Sequence, residues 1–313
     1  MNLTFIFYCI FNVLLVLALS PLFMGVIKKC KAWAQRRNGP PLLQPYYQLW
    51  KLLKKEVVYS QTSSWVMHAA PYVNIIMLVT AALFVPLAFI PNSDYSIVGN
   101  VILFIYLLAM AKFFMALSGL DAGSTFGGMG SSREMSISAV FEPTIIVVFA
   151  ALSFNFHTLD LPSMFRISLG ATSINPALIL LAIALFIVLI VETARIPVDN
   201  PETHLELTMV HEAMILEQSG KNLALMELSS AMKQTLLMTV MINIIVPYGM
   251  TTELTAVTII IAIVAFLVKA LVASLIVGLF ESSFVKLRFF RLPDFFMIAL
   301  FLSIITILME VFA

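Results

Sequence analysis

The chain has 313 residues, of which 61% are hydrophobic and only 11% are charged, and its mean hydropathy is +1.02. A soluble globular domain has about a quarter of its residues charged, so the composition excludes that class. Apolar stretches of about 18 residues or more recur along the chain, each long enough to cross a hydrocarbon core about 30 Å thick. The net charge of +1 favours neither nucleic acid nor an anionic surface as a partner. We therefore expect an all-α polytopic membrane protein.

Hydropathy in windows of about 19 residues predicts eight transmembrane helices. Their ranges are 3–27, 66–90, 97–120, 137–156, 174–194, 232–249, 254–280 and 294–312. The first apolar run has no preceding basic residue and no small-residue cleavage pattern, so we expect a retained helix. We expect a single membrane domain over 1–313, with long polar connections at 28–64 and 195–231. No internal repeat is evident, which weakens an interpretation as a carrier built from inverted halves.

Positive charge is concentrated on one side of this predicted bundle. The odd-numbered connections hold Lys28, Lys29, Lys31, Arg36, Arg37, Lys51, Lys54, Lys55, Arg133, Arg195, Lys221, Lys233, Lys286, Arg288 and Arg291. The opposite loops hold only Arg166. Because cytoplasmic loops retain Lys and Arg, we expect the odd connections to be cytoplasmic and both termini to face outward. Lys112 and Lys269 then lie within predicted helices, where each needs a partner inside the bundle.

The second long connection and the helix end before it carry a dense group of carboxylates. They are Glu192, Asp199, Glu202, Glu206, Glu212, Glu217 and Glu227. Glu202 and Glu206 are four residues apart and would share a helix face. Carboxylates that line up where the chain leaves the bilayer can hold and pass protons, so we interpret the group as a proton path. The alternative, acids that only solvate a loop, is favoured for Glu212 and Glu227.

Two further features bear on function. Glu142 lies about one turn into the fourth predicted helix, before Pro143, and an ionisable group at membrane depth is a functional candidate, with a water-contacting interfacial position as the alternative. The glycine-rich stretch 119–134 lacks the Lys-Ser/Thr ending of a phosphate loop. We interpret it as a tight connector that places Asp121, Arg133 and Glu134 at the cytoplasmic face.

Metal and haem sites are not expected in this chain. Cys9 and Cys30 are far apart and lack the CxxC spacing of zinc or iron–sulfur ligands. His204 and His211 are seven residues apart but lie in one acidic connection, whereas bis-histidine haem in a bundle usually needs ligands on facing helices. We therefore favour hydrogen-bonded or solvated histidines.

Three blocks of the sequence resemble one family. They are Arg36-Arg37-Asn38-Gly39-Pro40 through Gln44-Pro45 with Lys51; Gly119 to Glu134 with Glu142; and Glu192-Thr-Ala-Arg195-Ile-Pro197-Val-Asp199 through Gly220. Together they resemble the membrane subunit with quinone-site loops in respiratory complex I and its counterpart in membrane-bound nickel–iron (NiFe) hydrogenases. The second block is more similar to the hydrogenase branch, which includes formate hydrogenlyase. His204, where complex I has an acid, and a longer run before Glu217 depart from the complex I pattern.

The resemblance implies a membrane anchor and coupling subunit of an energy-converting hydrogenase in the plasma or inner membrane. It implies a proton path through Glu142, Glu192, Asp199, Glu202, Glu206 and Glu217, and docking contacts at Arg36, Arg37, Gln44, Lys51, Arg133 and Arg195. The implied partners are the hydrogenase large and small subunits, an iron–sulfur subunit, antiporter-like membrane subunits and membrane lipid. The NiFe centre and iron–sulfur clusters would lie in those subunits. A complex I quinone-site subunit and a stand-alone ion-coupled transporter are the alternatives.

Overall fold

The computed structural model describes residues 3–90, 99–170, 175–200, 209–252 and 255–312. Within these ranges the regular structure is α-helical, apart from a 3-10 turn at Phe289–Arg291 and two isolated β-bridges. The helices are α1 (Leu3–Ala34), α2 (Gln44–Leu53), α3 (Trp65–Phe84), α4 (Val101–Asp121), α5 (Thr125–Asn155), α6 (Leu161–Gly170), α7 (Pro176–Glu192), α8 (His211–Ile215), α9 (Gly220–Ile245), α10 (Ala256–Ser283) and α11 (Leu292–Phe312).

All eight predicted hydrophobic segments contain helices, so the all-α polytopic class is confirmed. In the described part of the chain, seven helices are long and apolar enough to cross a membrane: α1, α3, α4, α5, α9, α10 and α11. The eighth, α7, has 17 residues and spans about 25 Å at about 1.5 Å per residue. A hydrocarbon core is about 30 Å thick, so α7 is a few ångströms shorter than that thickness.

Several predicted boundaries were wrong. Two helices begin earlier than hydropathy indicated because the connections before them are partly helical, and one helix ends earlier than predicted. α5 begins at Thr125 and not at 137, and α9 begins at Gly220 and not at 232. α3 ends at Phe84, and the buried segment 85–90 that follows it is not helical. The two long connections contain α2 and α8, and the loop after α5 contains α6. These parts are polar or short, so a window tuned to membrane spans does not register them.

The glycine-rich segment is helical on both sides of a short turn, which corrects the prediction of a connector. The Ser124 hydroxyl caps α5 by accepting a hydrogen bond from the Gly127 N–H at 3.1 Å. A Cβ at Gly130 would lie 2.7 Å from the Ala213 Cβ and 2.9 Å from the Val210 carbonyl oxygen. Glycine at this position therefore lets α8 lie directly against α5.

Helix α9 lies at the centre of the bundle and contacts α1, α2, α3, α6, α7 and α10. Its most apolar window is 78% buried with a mean hydropathy of 1.3, whereas that of α10 is 28% buried with a mean hydropathy of 2.9. Gln234, Thr235 and Asn243 of α9 are at most 1% exposed. Polar side chains are tolerated at membrane depth when they face the protein interior, which explains why the central helix is among the least apolar.

Candidate functional site

A strongly charged part of the bundle interior lies at the end of α7. Glu192 Oε1 is 2.5 Å from Lys112 Nζ of α4, and Glu192 Oε2 is 2.7 Å from Lys233 Nζ of α9. The side chains of Lys112, Glu192 and Lys233 are 6%, 2% and 12% exposed. One carboxylate therefore joins two lysines from two other helices, and we call these three residues the Lys–Glu–Lys cluster.

The cluster resolves one sequence prediction and corrects another. Lys112 has a partner within the bundle, as predicted, and that partner is Glu192, 80 positions away in the sequence. Lys233, counted among the residues of a cytoplasmic connection, lies inside α9. The signal that could have identified it is a lysine followed by Gln234 within a long hydrophobic helix, because two adjacent polar residues there call for interior partners.

Asp199 organises the chain where the second long connection begins. Its Oδ1 is 2.6 Å from Lys286 Nζ, and its Oδ2 accepts hydrogen bonds from the N–H groups of Val210 and His211 at 3.1 and 3.0 Å. The second contact places a carboxylate at the start of α8, where free N–H groups favour negative charge. Asp199, which is 1% exposed, thus holds both ends of the segment 199–211 together.

Arg195 lies in a second buried ion pair. Its Nη1 is 2.7 Å from Glu281 Oε1 of α10, and its Nη2 donates to Gln234 Oε1 of α9. Lys31 Nζ of α1 lies 3.9 Å from the other Glu281 oxygen. Arg195 is 5% exposed, and its role as a docking contact stays a prediction. Its side chain joins Gln234 in the middle of α9 to Glu281 near the end of α10.

A cavity of about 330 Å³ opens between these ion pairs and the long connections. Thr193, Ala194 and Arg195 line one side of it, and Ser230 and Ala231 of α9 line another. The remaining wall includes Lys28, Gln48, His211, Glu212, Glu227 and Glu281. We call it the connection-side cavity, since the first and second long connections both border it.

A second cavity, of about 290 Å³, lies between α4 and α5 on the side of the bundle. Lys112, Glu142 and Glu192 supply its charged lining, and Ile105, Tyr106, Ile145 and other apolar side chains supply the rest. Glu142 is exposed on α5, so a carboxylate stands at the mouth of this lateral cavity. Both predictions for Glu142, a residue of the proton path and a water-contacting interfacial position, stay open, and its place in the lining beside Lys112 and Glu192 is compatible with the first.

The other predicted site residues are dispersed. Arg36, Arg37, Gln44, Lys51 and Glu217 are exposed, and Arg133 Nη1 donates to the Met209 carbonyl at 3.0 Å. Glu202, His204 and Glu206 lie outside the described residues. Among the residues that the structure describes, no group of three or more His, Cys, Asp or Glu side chains is arranged to hold a metal ion.

Lys269 lies far from the Lys–Glu–Lys cluster. Its Nζ donates to Asn243 Oδ1 at 3.1 Å and to the Val246 carbonyl at 3.0 Å. These are neutral acceptors at the C-terminal end of α9, where a cation is favourable. This intramembrane charge therefore caps α9.

The comparisons with known proteins agree with this geometry. The sequence matches the family described as NADH dehydrogenase over residues 6–311. It is 28% identical over 286 residues to formate hydrogenlyase subunit 4 of Escherichia coli (strain K12), which covers 90% of this chain and 91% of that protein. It is 32% identical over 254 residues to hydrogenase-4 component C of the same organism, covering 80% and 78% of the two chains.

More distant relatives extend the match. NADH-ubiquinone oxidoreductase chain 1 of Mycosarcoma maydis is 28% identical over 227 residues, 69% of this chain and 67% of that protein. A chain of the membrane-bound sulfane sulfur reductase, an archaeal respiratory membrane complex, superposes with a TM-score of 0.85 at 19% identity, covering 98% of this chain and 100% of that chain. The resemblance recognised from three sequence blocks is thereby confirmed. Since the family match runs over nearly the whole length, this chain belongs to the NADH dehydrogenase family.

Proposed function

We propose that this chain is the membrane anchor and coupling subunit of a multisubunit membrane-bound NiFe hydrogenase. It links electron transfer in a cytoplasmic arm to the translocation of protons, or of sodium, across the membrane. The observation that carries the proposal is the buried Lys–Glu–Lys cluster, which lies between a cavity bordered by the long connections and a cavity on the lateral face. The similarity to formate hydrogenlyase subunit 4 and hydrogenase-4 component C favours a hydrogenase complex.

The physical basis of coupling is the response of buried charges to a nearby redox event. A unit charge that appears about 10 Å away, in a medium of effective dielectric constant about 20, changes an interaction energy by about 1.7 kcal/mol. That energy corresponds to a change of about 15- to 20-fold in proton affinity. Arg195 and Glu281 line the connection-side cavity. A charge change in a docked subunit would therefore alter the electrostatic energy of the ion pairs that hold α7, α9 and α10.

The docked arm comprises the hydrogenase large and small subunits and an iron–sulfur subunit, which hold the NiFe centre and the iron–sulfur clusters. We infer that it binds the exposed basic connection through Arg36, Arg37, Gln44 and Lys51, and that Arg133 supports the neighbouring backbone. Glu202, Glu206 and Glu217 belong to the same acidic path as Asp199 and Glu192. Antiporter-like membrane subunits would cover the lateral cavity and receive protons at Glu142.

The orientation in the membrane follows from aromatic and basic residues. The chain's three tryptophans, Trp33, Trp50 and Trp65, are 75%, 63% and 71% exposed and lie at or between the ends of α1 and α3. Exposed tryptophan next to lysine and arginine is typical of a lipid headgroup boundary on the cytoplasmic side. We propose that this end of the bundle faces the cytoplasm in the inner membrane and that both termini face outward.

Purification of the complex tests the proposal. The chain, extracted in mild detergent from its native membrane, should co-purify with subunits that contain nickel and iron. The same complex in vesicles should couple hydrogen turnover to ion translocation. Iron with flavin and without nickel would instead identify a complex I quinone-site subunit. Transport by the isolated chain in vesicles would identify a stand-alone transporter.

A further inference from the structure

The Lys–Glu–Lys cluster contains two ammonium groups for one carboxylate. Glu192 lies 2.5 Å from one and 2.7 Å from the other, so its negative charge is stabilised from both sides. Glu134 of α5 acts electrostatically on all three residues of the cluster, and His211 of α8 acts on Lys233. Removal of one proton from the cluster therefore leaves a matched pair, whereas protonation of Glu192 would leave two unpaired cations.

The cluster also lies between the two cavities. Glu192 lines the lateral cavity, and the next three residues, Thr193 to Arg195, line the connection-side cavity. On α9, Ser230 and Ala231 line the connection-side cavity, and Lys233, two positions further along, reaches Glu192. Lys112, on the opposite side of Glu192, lines the lateral cavity. A proton that moves from one cavity to the other therefore meets Lys233, Glu192 and Lys112 in that order.

We propose that Lys233 is the proton-exchanging residue between the two cavities and that Glu192 remains ionised between transfers. This inference rests on the proposed coupling function and assigns its central step to a lysine that was counted at the edge of a cytoplasmic connection. Lys112 serves as the second exchanging group, on the lateral side.

The transfer is balanced in protons and charge. Lys112 releases a proton toward the Glu142 carboxylate in the lateral cavity and becomes a neutral amine. Lys233 then gives a proton to Glu192 Oε2, and the neutral carboxyl group rotates and passes that proton to Lys112 Nζ, so Glu192 ends the step ionised. The neutral Lys233 regains a proton from the connection-side cavity. One cycle moves one proton between the cavities and restores all three residues.

The decisive variant is Lys233→Arg in the assembled complex. Arginine keeps the positive charge that holds Glu192 but does not release its proton. We expect the complex to assemble while the number of protons translocated per hydrogen turned over falls by about 100-fold, the low end of what a positioned acid–base group contributes. Lys221→Arg, at an exposed lysine near the start of the same helix, is the matched control and should translocate like the unaltered complex. Full translocation by the Lys233→Arg complex would overturn the inference and leave the coupling function standing.

A second measurement does not depend on accommodating the larger side chain. Lys233→Ala leaves space beside Glu192, and methylammonium added to the vesicles should restore translocation because it carries an exchangeable proton. Tetramethylammonium supplies charge without such a proton and should not restore it. Equal rescue by both cations would show that Lys233 only positions Glu192. An unaltered complex that turns over hydrogen without moving ions would remove the coupling function, and this inference with it.

Discussion

Replacing Glu192 by Gln should destabilise the chain far more than replacing Lys112 by Met. Glu192→Gln breaks two ion pairs with separations of 2.5 and 2.7 Å and leaves two lysines whose side chains are 6% and 12% exposed. Breaking one buried pair costs about 3–5 kcal/mol, so we expect a loss near the upper end, about 5 kcal/mol. Lys112→Met leaves Glu192 and Lys233 as a matched pair and should cost less than about 2 kcal/mol.

The buried thiol of Cys30, which is 6% exposed, offers a direct assay of this difference. A maleimide dye that fluoresces on reaction with a thiol would report unfolding of the chain in mild detergent, in a Cys9→Ser background, because a buried thiol is unreactive until exposed. A loss of about 5 kcal/mol should lower the midpoint temperature by roughly 10 °C or more. The triple variant Lys112→Met, Glu192→Leu, Lys233→Met removes all three charges of the cluster and should recover the midpoint. Equal midpoints for Glu192→Gln and Lys112→Met would show that stability does not depend on how many buried charges in the cluster lack an opposite charge.

Three further changes should have distinct effects. Glu142→Gln, at an exposed position, should change stability by less than about 0.5 kcal/mol yet reduce proton translocation by the reconstituted complex; unchanged translocation would exclude Glu142 from the path. Asp199→Asn removes the ion pair with Lys286 and weakens the start of α8, so limited proteolysis should cut the segment 199–211 faster, whereas equal rates would show that Asp199 does not hold the two ends of this segment together. Burial lowers the pKa of His211, so the unfolded chain binds its proton more tightly, and the stability contribution should be lost as pH falls through about 6.5; His211→Gln should flatten this part of the pH profile, and an unaltered profile would show that another group causes it.

Hydropathy was sufficient to locate the helices that are apolar on every face, because a helix that contacts lipid must present apolar side chains to it. It also indicated Glu192, since an acid directly after a long apolar run has few solvated positions available. The ion pairs could not be predicted in the same way. Lys112 and Glu192 are 80 positions apart, and the pairing depends on which faces of α4, α7 and α9 meet.

The assignment of Lys233 to the edge of a cytoplasmic connection has a physical cause. The positive-inside rule assigns a basic residue near a helix end to the cytoplasm, but it does not distinguish a solvated lysine from one that is neutralised within the bundle. The start of α9 was misplaced for a related reason. Its first turns carry Lys221 and Glu227, which lower the hydropathy of a window although the helix continues through them.

The central position of α9 has a consequence for how the protein enters the membrane. Insertion of Lys at the middle of an isolated helix costs about 2.5–3.5 kcal/mol, and Lys233 lies mid-helix in α9, whose mean hydropathy is only 1.3. The partners that offset this cost, Glu192 and the helices around it, belong largely to segments synthesised earlier. The strongly apolar α10, with a mean hydropathy of 2.9, partitions into lipid without help. During biogenesis the preceding helices should therefore stay near the insertion machinery until α9 is synthesised. Only then can Lys233 pair with Glu192 and complete the Lys–Glu–Lys cluster.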